Sequence, residues 1–374
     1  MCAAVVAVTA VALCVGLGVK TLCFGPSVTS ERTPCYSDIK TLYYGDHVKE
    51  GGLPYVDHFV EYPVLTGVYM WTAGAFAHGP RSYLAVSAIG LAAAGLVTAW
   101  MLAWLAGRRA FLWCLAPTFA LTAFLNWDLL AVAAMVAGVF AWRRGHSLWA
   151  AAWLGIGCAL KVFPILLLPP LVLERWLAGR RREASEVALV GLGVAAAANV
   201  PFAVANFSGW WQTYRFHELR SADLATIWSW GLPQFRVPTL NLVVSAATAL
   251  CFTAILTYTV RRVRLEGGFA VVATGAAMVF VVLAWTKIYS PQYTLWVLPL
   301  LVLVVLPGWL VAVYLAIDAV LWIAAFAVGY PAVTVHASSV MVEYGVWART
   351  IALLVLSVYA VRTPCERRAV GSPP

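Results

Sequence analysis

Carboxylates and cations are scarce in this chain, and they gather in a few places where they could do chemistry together. The first runs from Tyr36-Ser37-Asp38-Ile39 to Glu61-Tyr62-Pro63, inside a segment (residues 25–82) that holds six carboxylates between apolar runs. Ser37 is a helix-capping residue type, so the pattern predicts a helix from Asp38 to about Lys49, with Ile39, Leu42 and Tyr43 on one apolar face. In the first turn of such a helix the dipole favours an ionised Asp38, the state a general base needs. Glu61 precedes a second predicted helix with Pro63 in its first turn, and Asp57-His58 stand just upstream. The plain alternative is an acidic loop resting on lipid headgroups.

Asp128, in Asn126-Trp127-Asp128, lies between two hydrophobic runs, where a carboxylate is costly unless it is paired or functional. Lys161, in Lys161-Val162-Phe163-Pro164, is its expected partner, either as a structural ion pair or as part of a site. A second cationic group follows in Trp210-Trp211-Gln212-Thr213-Tyr214-Arg215-Phe216-His217-Glu218-Leu219-Arg220. Arg215, His217 and Arg220 could grip a phosphate through charge-assisted hydrogen bonds, and the aromatic rings offer flat faces to a sugar or an isoprenoid chain. Lys287, in the turn Trp285-Thr286-Lys287-Ile288-Tyr289-Ser290, adds one more cation. The sequence has no nucleotide-binding glycine loop, no HExxH and no other metal signature; no cofactor is expected, and a divalent metal is unnecessary beside so many cations, though the acids could bind one.

These groups must be carried by a membrane scaffold. With 63% hydrophobic and 11% charged residues over 374 positions, and a mean hydropathy of +0.84, too little polar surface exists to clothe a soluble fold. The reading is an all-α polytopic membrane protein. The net charge of +9 then reflects basic cytoplasmic loops in a lipid bilayer and not a nucleic-acid partner. The eight cysteines lack metal spacing and serve mostly as small apolar residues; Cys23 and Cys35 could form a disulfide on the oxidising side. Residues 2–24 lack a basic leader and a small-residue cleavage site, and read as a retained helix.

Charge also sets the topology. Clusters at Arg108-Arg109, Arg143-Arg144, Arg175 with Arg180–Arg182, Arg261-Arg262-Arg264, and Arg362 with Arg367-Arg368 should share the cytoplasmic side. That side then holds 14 basic residues against five acids and carries the whole net charge. Parity survives only if the apolar run from Pro63 to Gly79 does not span, so it is expected to be a juxtamembrane helix in the first outer loop. About 12 spans follow, near 2–24, 83–106, 110–125, 129–142, 147–160, 163–174, 186–205, 238–260, 269–285, 291–306, 309–329 and 343–361. Several are short for a core of about 30 Å, so Asp128 and Lys161 should sit at the floor of an outer cavity. The outer loops are 25–82, 206–237 and 330–342; residues 1–362 form one domain and 363–374 a short cytoplasmic tail.

The ordered set Tyr36-Ser37-Asp38-Ile39, Pro54-Tyr55-x-Asp57, Glu61-Tyr62-Pro63-Val64-Leu65-Thr66-Gly67, Asn126-Trp127-Asp128-Leu129, Ala159-Leu160-Lys161-Val162-Phe163-Pro164 and Ser290-Pro291-Gln292-Tyr293 resembles actinobacterial members of glycosyltransferase family 87. The resemblance implies a GT-C membrane fold and a plasma-membrane hexosyltransferase of the polyprenol-phosphate-mannose-dependent kind. Such an enzyme takes a sugar, mannose or possibly arabinose, from a polyprenyl-phosphate donor to a glycolipid or glycan acceptor on the outer face. It implies that Asp38 is the catalytic aspartate and that Lys161 approaches the donor phosphate. Glu61 matches the acid heading the juxtamembrane helix of related lipid-A aminoarabinose transferases, but Tyr62 stands where those have Lys. In that reading Asp38, Glu61 and Asp128 are the catalytic set, and Lys161, Arg215, His217, Arg220 and Lys287 bind the donor phosphate. The competing readings are a transporter or flippase of lipid-linked substrates, with Asp128, Lys161, Asp318 and Arg349 lining its path, and a non-catalytic envelope scaffold.

Overall fold

A computed structural model of the chain describes residues 1–22, 24, 36–232, 234–327 and 335–364. The proposed Cys23–Cys35 disulfide lies outside the described residues, as does nearly all of the predicted tail 363–374. The described architecture is all-helical, with one isolated β-bridge between Pro54 and His58.

Helix α1 (Cys2–Leu22) leads to the short α2 (Asp38–Gly45), α3 (Val64–Ala75) and the long α4 (Pro80–Ala106). The segment after α4 is broken: α5 (Phe111–Leu115) and α6 (Pro117–Thr122) meet at Ala116, which precedes Pro117 and is extended as the residue before a proline tends to be. Then come α7 (Asp128–Arg143), α8 (Ser147–Leu160), α9 (Leu168–Leu177), α10 (Arg181–Ala205) and α11 (Phe207–Leu219). The chain ends with α12 (Val237–Glu266), α13 (Val271–Trp285), α14 (Thr294–Leu303), α15 (Gly308–Ala327) and α16 (Val335–Arg362).

Among the described residues, five helical stretches are long and apolar enough to cross a membrane: Cys2–Thr21, Pro80–Leu115, Arg181–Ala205, Val237–Glu266 and Ser339–Arg362. This differs from twelve comparable spans. The expected span 110–125 is two helices of five and six residues, and 163–174 is a 3-10 turn running into α9. Helix α8 has 14 residues and α14 has 10, about 21 and 15 Å of rise. The expected outer loop 330–342 is also shorter than predicted, because α16 begins at Val335.

Two arginines tie helix ends together. Arg109 donates to the Leu301 and Val304 carbonyls at the end of α14, and Arg262 donates to the Val361 and Thr363 carbonyls at the end of α16. The far ends of α4, α14, α12 and α16 are thereby tied in pairs by cations that satisfy otherwise unpaired helix carbonyls.

The run after Pro63 forms α3, 12 residues and about 18 Å, as a helix too short to span. Its entry is fixed by Tyr55, which donates to the Tyr62 and Pro63 carbonyls at 2.8 and 2.9 Å. Gly67 lets this happen: a Cβ there would lie 2.0 Å from the Tyr55 hydroxyl. One turn along, Thr66 donates to the Leu160 carbonyl at 2.6 Å, joining α3 to the end of α8. Helix α11 completes the arrangement. Asn206 accepts from Gly209 N–H as its cap and donates to the Val56 carbonyl, while Thr213 donates to Val60.

Candidate active site

At the acid-rich end of the bundle, α2, the start of α3, α11 and the turn before α14 enclose a cavity of about 1000 Å³. Asp38, Glu61, Lys161, His217 and Arg220 all line it. Five of the predicted site residues are therefore brought together from four separate parts of the sequence.

Asp38 is buried at the first position of α2, held by its own N–H donating to the Leu125 carbonyl at 2.8 Å. Ser37 precedes it in extended conformation but does not cap the helix with its side chain; its hydroxyl donates to the Phe124 and Leu125 carbonyls instead. Helix α2 stops at Gly45, short of the predicted Lys49. Two phenols clamp the carboxylate: Tyr36 donates to Oδ1 at 2.5 Å and Tyr62 to Oδ2 at 2.9 Å. Burial pushes the Asp38 pKa up, and the Tyr36 and Tyr62 hydrogen bonds and the Lys161 charge pull it part of the way back. This reverses the direction expected from the helix dipole. Desolvating a charge costs several kcal/mol, whereas a dipole contributes about 0.3–1 kcal/mol, and α2 has only eight residues.

Lys161 leaves α8 at its end, where its backbone turns extended and its N–H donates to Gly157 at 2.7 Å. The side chain lines the cavity. Its ammonium lies 2.9 Å from Asp128 Oδ1 and 4.4 Å from the centre of the Tyr62 ring. Asp128 itself is beneath the cavity wall and does not line it. Its second oxygen accepts from Trp296 Nε1 at 2.9 Å, and its N–H is taken by Asn126. Trp296 stacks on Phe163 at 4.1 Å and on Tyr293 at 3.9 Å, so the ion pair rests on a run of packed rings.

Glu61 is half-buried, and burial and then the Asp38 charge raise its pKa against the opposing pull of Arg220 and Lys161. His217 donates to the Glu61 carbonyl at 2.8 Å, and desolvation lowers its pKa. Behind Glu61, Asp46 is buried at the end of α2, with burial and the Glu61 charge raising its pKa to about 7. Arg220 packs against the Phe216 ring and faces the cavity.

Two predicted phosphate ligands are placed elsewhere. Arg215 is exposed and does not line the cavity. Lys287 turns away from it and donates to the Glu218 and Arg220 carbonyls at 2.7 and 2.8 Å, satisfying the end of α11. Conversely, sequence reasoning missed the phenols of Tyr36 and Tyr62, the Trp296 indole and Lys20. Lys20 is buried on α1 and donates to the Tyr36 carbonyl at 2.5 Å, within electrostatic reach of Asp38. A lone cation in an otherwise uncharged apolar helix was the signal for it. Asp318 and Arg349 do not line the cavity; Arg349 stacks 3.4 Å from the centre of the Tyr289 ring and donates to the Ala225 carbonyl.

No family model and no curated protein matches the chain, so the likeness to family 87 rests on its motifs. Among solved structures, the crystal structure of the Archaeoglobus fulgidus oligosaccharyltransferase in the apo form aligns over 98% of this chain at 13% identity, with a TM-score of 0.45. The alignment covers 57% of that protein, so the chain spans little more than half of its length. Among the described residues, no group of three or more His, Cys, Asp or Glu is arranged to hold a metal ion.

Proposed function

We propose that this chain is an inverting membrane glycosyltransferase that moves a sugar from a polyprenyl-phosphate donor, with the reaction in the cavity around Asp38. The observation that carries this reading is the buried, phenol-clamped Asp38 facing the Lys161 and Arg220 cations across one enclosed space. The motif resemblance to family 87 supports the same conclusion and favours a hexose, mannose first, with the cavity on the outer face of the plasma membrane.

In this mechanism Asp38 accepts the proton of an acceptor hydroxyl as that oxygen attacks the anomeric carbon. The carbon–oxygen bond to the polyprenyl phosphate breaks on the opposite face, and the phosphate leaves with the bonding electron pair. A carboxylate has about four acceptor positions, so Asp38 can take the hydroxyl while holding both phenols. Its raised pKa makes it a stronger base than an exposed aspartate once it is ionised. The positive charge developing on the sugar, as in glycoside cleavage, is opposed by nearby carboxylates, Glu61 among them. Arg220 and Lys161 hold the departing phosphate, and His217 positions Glu61 through its carbonyl. The apolar wall of Val282, Leu283 and Ala324 suits the first isoprene units.

The test is transfer from labelled polyprenyl-phosphate sugars by the purified protein in proteoliposomes. Wild-type protein should move one label to an acceptor, and Asp38→Asn should lower the rate by about 10²–10⁴ with the protein still folded. Near-wild-type transfer by Asp38→Asn would remove Asp38 from the mechanism.

A further inference from the structure

A second cavity of about 530 Å³ adjoins the first. The two share His217, Thr286, Ile288 and Tyr293, so only this thin wall divides them. Their chemistry differs. The main cavity combines acids and cations with a long apolar wall, whereas most residues of the side cavity carry a hydrogen-bonding group, Glu218, Asn241, Ser245 and Lys287 among them.

We infer that the side cavity binds the acceptor, and that the acceptor presents an uncharged, polyhydroxylated sugar headgroup. The inference rests on the glycosyltransferase reading, because a transferase must hold two substrates at one reacting centre. The donor's phosphate and prenyl chain match the main cavity, which leaves the side cavity for the second substrate. Three features select a neutral sugar there. Glu218 offsets part of the Lys287 charge, which weakens the pull on an anion. Two of the three Lys287 donors are committed to the Glu218 and Arg220 carbonyls, which makes this cation a wall anchor with one N–H to offer a hydroxyl. Asn241 donates to the Glu218 carbonyl through Nδ2 and keeps its Oδ1 as an acceptor, while Tyr293 supplies a ring edge or face for the sugar's C–H groups.

The way in is lateral. Asn241 and Ser245 lie one turn apart on α12, whose outward residues Leu242 and Leu250 are exposed. A headgroup carried on a glycolipid therefore reaches the cavity beside a face suited to lipid, and its hydroxyl meets the main cavity past Tyr293.

The experiment uses n-octyl glycosides as acceptor probes with the full chain in proteoliposomes. Ser245→Leu, at an exposed position, and Asn241→Leu should each raise the apparent KM for the octyl glycoside about tenfold while the donor KM stays within twofold. A rise in donor KM, or no change in either constant, overturns the acceptor assignment while leaving the transferase reading intact. Absence of transfer by the wild-type protein with every donor and acceptor would instead count against the transferase reading. A diazirine-bearing octyl glycoside gives a readout independent of turnover. Labelling should fall on residues 217–218 and 241–245 and be competed by free glycoside; labelling confined to other segments refutes the site.

Discussion

Replacing Tyr62 by Phe removes one hydroxyl and leaves the ring that packs on Trp127 and faces the Lys161 ammonium. The hydroxyl donates to Asp38 Oδ2 at 2.9 Å in a buried setting. A hydrogen bond to a charged group contributes about 1.5–3 kcal/mol, and one pKa unit corresponds to about 1.4 kcal/mol. Because the bond stabilises the ionised form, its loss costs the carboxylate about 1.5–3 kcal/mol and raises the Asp38 pKa further. Activity that requires ionised Asp38 rises with pH through that pKa, so the acid limb of kcat/KM should move to higher pH. At high pH, where Asp38 is ionised in both proteins, the rates should converge to within a few-fold. The assay is kcat/KM for sugar transfer from about pH 5 to 9. A uniform loss across the pH range, with an unmoved limb, would refute the claim that the phenol acts through the charge state of Asp38.

Lys161→Met should lower thermal stability by about 3–5 kcal/mol, because it leaves Asp128 charged and buried with Trp296 as its main donor. Adding Asp128→Asn should restore the melting temperature in detergent but not donor binding; recovery of both would make the pair purely structural. Lys20→Met should reduce kcat about tenfold with an unchanged donor KM, since it frees the Tyr36 backbone that aims a phenol at Asp38, and Lys20→Arg should recover part of the loss and part of the pH profile. Asp46 titrates in the folded protein at about 7 against an ordinary 3.8. The protonated form is favoured on folding, so this contribution to stability is complete below about pH 4 and is lost as pH rises through 7. Asp46→Asn should therefore raise the melting temperature at pH 8, by an amount on the order of 4 kcal/mol at most, and change it little at pH 4.

The helical class and the membrane character could be read from the sequence because both depend on sums over many residues. Mean hydropathy leaves no soluble alternative, and the arginine clusters constrain parity even when one apolar run is ambiguous. Helix lengths were less legible. Hydropathy reports composition, and α5, α6, α8 and α14 are as apolar as a span but end early, at Ala116–Pro117 for the first pair and at Leu303 for α14. The same shortness makes room for the cavity, so counting every apolar run as a span and expecting a cavity were two answers to one observation.

The site was legible in proportion to the rarity of its residue types. Asp38, Glu61, Asp128 and Lys161 stand out where 11% of residues are charged, whereas Tyr36 and Tyr62 do not where 13% are aromatic. Arg215 failed for a reason the sequence contained. On a helix with 100° per residue, Thr213, His217 and Arg220 fall within about 60° of one another, and Arg215 lies on the opposite side. The phosphate grip we propose therefore reduces to Arg220 with Lys161. The state of Asp38 needed a magnitude that no pattern supplies. Its place at the start of a helix argued for an ionised group, and its burial argues more strongly against one. Two phenols, with Lys161, oppose that burial, so in this cavity the tyrosines, more than the helix dipole, decide when the aspartate can act as a base.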